Sequence, residues 1–326
     1  MKSSKRYIIL LILILVLTLF INPIQSQSDK SEISIICTNS ILADFTKNIL
    51  KNNAEIDYIM PPGACPTHFD TSPNDISKIS SANILISLGW EPWLNDLIEN
   101  SGNKNYTLIK CLDLGEWNIP TAAIKYIEFL EKELSLVIPN LKNSIHKNSK
   151  EYKDLINSTS INLKNQIINN NYLNKKIICM QWYKDFLEWF GFDVVYSYGP
   201  PESLSTQDII NISKAATNNE VTSIVDNLQS GTDLGARISS ESGSIHIIFT
   251  NFPGAIPNTD SYLDMIEYNI QKLINGISTY EFKQGEILNL ENEINHIELQ
   301  RNSLFVGFLL LTLISLILII IYKKNK

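Results

Sequence analysis

Residues 61–94, PPGACPTHFDTSPNDISKISSANILISLGWEPWL, constrain the fold more tightly than any other stretch of the chain. Pro61, Pro62, Gly63 and Pro66 exclude regular structure and hold an extended loop that carries Cys65, His68 and Asp70. Ser72 is a favourable N-cap, with Pro73 at the first helical position and Asp75 three residues after the cap, so a helix starts here. Ile76, Ile79 and Ala82 then recur at helical spacing, and the apolar run 84–88 ends at Gly89 as a buried strand would. Loop, helix and strand in this order are the unit of an open α/β sheet. Ligands of such sheets bind beyond the C-terminal strand ends, where this loop's tip lies.

The same alternation extends in both directions. Strand-like runs at 32–38, 56–60 and 107–112 and helical runs at 41–50 and 93–98 complete a first parallel lobe. A second set of strand-like runs lies at 177–180, 193–196, 222–225 and 245–249, with a double-proline loop at Pro200 and Pro201 and a cap at Ser205 followed by Asp208. Between them the pattern from 121 to 169 is helical with hardly a strand signal, interrupted at Pro139. The fold class expected is therefore α/β, with two doubly wound lobes at 32–118 and 173–277 joined by a rigid helical spine at 119–172.

At 326 residues the chain is long enough for two such lobes and their cores. Its net charge of −7 and the lack of a basic stripe speak against nucleic acid as a partner. Lys2, Lys5 and Arg6 precede an apolar run at 7–21, Asn22 and Pro23 break it, and a small polar stretch follows, which has the form of a secretory signal peptide over 1–28. No Cys lies between that run and Cys37, so a bacterial-type lipoprotein anchor is not expected. At the other end the uncharged run 304–322 is about 28 Å long as a helix, enough to cross the hydrocarbon core. Lys323, Lys324 and Lys326 follow it. Both ends place the body outside the cell, with a transmembrane helix at 303–322, a cytoplasmic tail at 323–326 and a helical stalk at 283–302. Cys37, Cys111 and Cys179 sit in or beside apolar runs and read as small hydrophobes; Cys65 alone lies in a loop.

The 61–94 stretch, the segment Thr38-Asn39-Ser40-Ile41-Leu42-Ala43-Asp44-Phe45 and the pair Tyr262-Leu263 with Tyr268-Asn269 together resemble the metal-binding class of ABC-transporter solute-binding proteins. The resemblance spans roughly 32–277. It implies capture of zinc, manganese or a similar divalent ion as transported ligand in an inter-lobe cleft, no catalytic cofactor, and delivery to an ABC permease with its ATPase subunit.

Of the candidate ligands, His68 stands out from the residues alone, since a neutral imidazole on a loop after a strand is a common transition-metal ligand. Cys65 lies three residues before it, and Asp70 could ligate or orient it. The family's further histidines are missing: its position before the spine reads Trp117-Asn118-Ile119-Pro120, and that after the second lobe's first strand reads Met180-Gln181-Trp182. The positions of its acidic ligands hold Asp226-Asn227-Leu228-Gln229 and Thr250-Asn251-Phe252. The resemblance therefore implies a mixed site of His68, Gln181, Asp226 and Gln229, with Cys65, Asp70, Met180, Asn227 and Asn251 as further ligands or supports. His246, in mid-strand, is expected in the core. A metal chelate, a small polar solute, or an adhesion module without metal binding are the alternatives. Catalysis by Cys65 or Ser72 with His68 would need an orienting partner and an oxyanion hole that one loop does not supply, and no catalytic residue is assigned.

Overall fold

In the computed structural model, which describes residues 33–324, the strands form two four-stranded parallel sheets. The first contains β1 (Ser34–Cys37), β2 (Glu55–Tyr58), β3 (Ile84–Ser87) and β4 (Thr107–Lys110), in the order β2-β1-β3-β4. Its crossovers are α1 (Ser40–Leu50), α2 (Pro73–Ser80) and α3 (Leu94–Ser101). Two helices follow, α4 (Pro120–Val137) and α5 (Lys142–Asn169), separated by a short turn at Pro139–Leu141. The second sheet contains β5 (Lys176–Met180), β6 (Asp193–Tyr198), β7 (Ser223–Asn227) and β8 (Ile245–Phe249), in the order β6-β5-β7-β8. Its helices are α6 (Lys184–Phe190), α7 (Thr206–Asn218) and α8 (Asp233–Ser242), and the chain closes with α9 (Tyr262–Lys324). The expected signal peptide lies outside the described residues.

Both sheets thus have one topology, and the central strands β3 and β7 are buried along their whole length. Strands covered on both faces read as unbroken apolar runs, which is why β3 and β5 were legible. β7 runs on past its apolar residues to Asp226 and Asn227, which pair in register with Ile248 and Phe249 of β8. The caps repeat as well. Asp75 Oδ2 accepts from Ser72 N–H at 2.8 Å and Asp208 Oδ2 from Ser205 N–H at 2.9 Å, satisfying amide groups that each helix start would otherwise leave open.

The connection at 120–169 is helical, and α5, 28 residues long, meets both lobes. Asn148 donates to the Ile49 carbonyl of α1 at 2.9 Å, while Lys164 donates to the Trp189 carbonyl of α6 at 2.9 Å. A further tie is buried at the junction. Asp44 of α1 accepts from Tyr152 Oη of α5 at 2.6 Å and from the N–H of Tyr262, the first residue of α9, at 3.2 Å. A carboxylate of the first lobe therefore sits at the N-terminus of the closing helix.

α9 is a single helix of 63 residues, so closing helix, stalk and apolar segment are continuous rather than separate pieces. No proline interrupts it, and isolated glycines such as Gly285 are tolerated in a helix. Its first turns are buried to Ile277, and beyond that point it is exposed. Its last third is apolar and long enough to cross a membrane.

Candidate ligand-binding cleft

Loops at the C-terminal ends of β2, β3 and β4 face those after β5, β7 and β8 across a cavity of about 480 Å³. That is where parallel sheets place their ligands, because the loops diverge there and leave backbone and side-chain groups uncommitted. Trp90, Trp117, Trp182 and Phe252 supply aromatic wall; Cys65, Thr67, Glu116, Asn227 and Gln229 supply polar groups. The loop after β2 is pinned from below: Trp93 donates to the Pro66 carbonyl at 3.0 Å and stacks edge-on against Phe69 at 5.1 Å. Glu91 anchors the loop after β3 by accepting from Leu88 N–H and Gly89 N–H, both at 2.8 Å, and from Thr38 Oγ1.

Polar contacts close the cleft from both sides. Gln229 donates to the Pro62 carbonyl at 2.8 Å and to Thr250 Oγ1 at 2.9 Å, while its Oε1 accepts from Asn251 N–H at 3.2 Å. Asn251 in turn accepts through its carbonyl from Trp117 Nε1 and through Oδ1 from Asn118, both at 2.8 Å. Ser40 reaches the Pro253 carbonyl at 2.8 Å. These amides hold one lobe against the other.

Of the residues singled out in the sequence, Cys65, Asn227, Gln229 and Asn251 line the cavity. His68, Asp70, Met180, Gln181 and Asp226 do not. A turn closed by His68 N–H to the Cys65 carbonyl at 3.2 Å presents Cys65, Pro66 and Thr67 to the cavity and leaves the His68 side chain exposed. Asp70 is exposed and borders a separate hollow beside Tyr58 and Lys78. Gln181 is exposed in a short turn, and its neighbour Trp182 takes the cavity position. In both loops a one-residue offset decides which side chain faces the cleft. Met180 is fully buried in the core.

Asp226 departs furthest from the sequence expectation. Side chains alternate between faces along a strand, so residues two apart share a side. Asp226 lies on the face of β7 that also carries Ile224, and the register places His246 beside Ile224. The carboxylate is accordingly fully buried, accepting from Tyr198 Oη at 2.5 Å and Gly235 N–H at 3.0 Å, with His246 Nε2 at 2.8 Å. Gly235 is required for that approach, because a Cβ there would lie 2.1 Å from Asp226 Oδ2. His246 is thus held in a polar cluster rather than in an apolar core. Asn227, on the opposite face, donates to Tyr183 Oη at 2.8 Å and keeps its Oδ1 unpartnered although the residue is fully buried.

Burial, and secondarily the charge of Asp185, raises the carboxyl of Glu116 above its ordinary range. Burial likewise raises the Cys111 thiol, which reads as a packed hydrophobe; all four cysteines are free thiols. Among the described residues no group of three or more His, Cys, Asp or Glu side chains is placed to hold a metal ion. The aromatic wall went unassigned in the sequence. Trp90 and Trp182 each follow directly on a strand and turn, a position that could have marked them.

The profile of the zinc-uptake complex component A family, described as periplasmic, matches residues 35–276. The chain belongs to this family. Relatives of this chain include the manganese ABC transporter substrate-binding lipoprotein PsaA of Streptococcus mitis, 24% identical over 317 residues, covering 85% of this chain and 100% of the relative. The metal ABC transporter substrate-binding lipoprotein SsaB of Streptococcus sanguinis is 25% identical over 309 residues, covering 82% and 97%. Among solved structures, the Mn-bound periplasmic metal binding protein from Candidatus Liberibacter asiaticus superimposes with a TM-score of 0.64 at 18% identity, over 75% of this chain and 99% of that one. The two chains therefore share a fold.

Proposed function

We propose that this protein is the extracytoplasmic solute-binding component of an ABC importer, capturing a divalent metal in the cleft between its lobes for delivery to a permease and its ATPase subunit. The family match over 35–276 carries this conclusion. The two parallel sheets meeting at their C-terminal strand ends around a cavity fit it, since capture from both sides lets ligand and lobe closure stabilise each other. Manganese and zinc are the ions that relatives' names point to.

The apolar end of α9 would hold the protein at the outer face of the cell membrane, in the place of a lipid anchor. The lysines at its end stay in the cytoplasm under the positive-inside rule. Cells lacking the protein are expected to accumulate less manganese or zinc under limitation. Re-expression of the full chain restores uptake, and a chain ending at Asn302 is released into the medium. Unchanged accumulation of both metals would contradict the importer role, and retention of the shortened chain on the cell would contradict the anchor.

A further inference from the structure

We infer that the cleft receives its divalent ion inside a small organic chelate, with the chelator supplying most of the metal's donors and the aromatic wall of the cleft packing on the chelator. This deepens the uptake role proposed above and rests on it.

The size of the cavity is the first observation. About 480 Å³ falls in the ordinary range for small-molecule sites, roughly 300–1,000 Å³. A bare divalent ion occupies no more than a water molecule, whose share of the liquid is roughly 30 Å³. A bare ion here would touch only one corner of the cleft. It would need either a shell of retained waters or several protein donors converging on it.

Those donors do not converge. Three or more protein ligands are the ordinary requirement for holding zinc, and more oxygens are needed for harder ions. Among the described residues no such cluster of His, Cys, Asp or Glu is present. Asp226 is held by Tyr198, Gly235 and His246, and His68 lies outside the cavity. Cys65, Cys111, Asp113 and Glu116 line it, but no three of them are grouped to hold an ion, so they can complete a shell begun by another molecule but not build one.

The lining, in contrast, suits an organic body. Trp90 is half-exposed and Trp182 partly exposed, so each keeps free ring surface at the cleft. Such rings favour stacking on flat or apolar groups and attract cations over their faces. Asn227 adds a specific polar contact. It is fully buried, lines the cavity, and its Oδ1 has no partner, a state that is costly unless a ligand donates to it. An amino or imidazole N–H of a chelator could make that bond; a bare cation would instead have to coordinate the amide oxygen and still find its other donors, which are not grouped here.

The test uses the full-length protein in detergent, stripped of metal, with tryptophan fluorescence and calorimetry as readouts. The probes are zinc chloride and manganese chloride alone, each metal with excess L-histidine, each metal with excess citrate, and the two chelators alone. At least one chelated metal is expected to bind about tenfold or more tightly than the aqueous ion. Trp182→Ala and Trp90→Ala should each weaken that complex about tenfold while leaving the melting temperature near wild type, since neither ring is fully buried. Aqueous ions binding as tightly as every chelate, with both tryptophan variants unaffected, would overturn the chelate inference and leave metal uptake standing. A chelator binding equally well without metal would overturn the inference and the metal cargo together. No binding of any probe would also overturn both.

Discussion

Asp226→Ala is expected to lower the free energy of unfolding by about 3–5 kcal/mol, the ordinary cost of removing one partner of a buried charged cluster. The wild-type carboxylate is fully buried and satisfies Tyr198 Oη and Gly235 N–H while facing His246 Nε2. Alanine leaves the hydroxyl and the amide without an acceptor in a place that water does not reach. Gly235→Ala should be damaging by another route, since its Cβ would lie 2.1 Å from Oδ2 and the carboxylate would have to move. Urea unfolding of both variants at neutral pH measures the effect. A loss below about 1 kcal/mol in Asp226→Ala would show that the cluster is not structural, and a ligand role for Asp226 would then be open again.

Asp44 should make stability depend on pH in an unusual direction. Burial raises its carboxyl from 3.8 to about 6, against the opposing hydrogen bonds from Tyr152 and Tyr262. Between pH 4 and 6 the folded chain therefore holds a proton that the unfolded chain has lost. Stability contributed by this group is present at the acid end of that window and falls as pH rises through it, by about 3 kcal/mol at most. Asp44→Asn retains an oxygen acceptor and carries no charge, so this component of the slope should vanish. Urea midpoints at pH 4, 5, 6 and 7 for wild type and Asp44→Asn compare the two directly. Parallel curves would mean that Asp44 is ionised throughout. The location matters for function, because Asp44 joins α1 of one lobe to α5 and to the start of α9, where a negative charge also meets the positive end of the helix.

Much of the fold was legible because it rests on local rules. The capping boxes at Ser72 and Ser205, the apolar runs of β3 and β5 and the helical stretch interrupted at Pro139 each announce themselves within a few residues. The end of β7 was not legible, since Asp226 and Asn227 look like strand-terminating polar residues until Tyr198, His246 and Tyr183 are brought to them from elsewhere in the chain. Two of the cleft loops were hard to read for a related reason. Whether His68 or Thr67, and Gln181 or Trp182, faces the ligand depends on how a turn is wound, and residue type alone does not encode that. In those two turns the most metal-like side chain is a neighbour of the cavity, whereas Cys65, Asn227, Gln229 and Asn251 do form part of its wall.

The central claim is that this chain carries a divalent metal in its cleft, and the metal content of the protein itself tests it most directly. Full-length protein should be purified from its own membranes in detergent without any chelator and analysed by inductively coupled plasma mass spectrometry beside a protein assay. Close to one manganese or zinc per chain is the expected result, whether the ion arrives bare or chelated. Protein that carries no stoichiometric divalent metal as purified, and takes up none when supplied with the metals free and chelated, would contradict it.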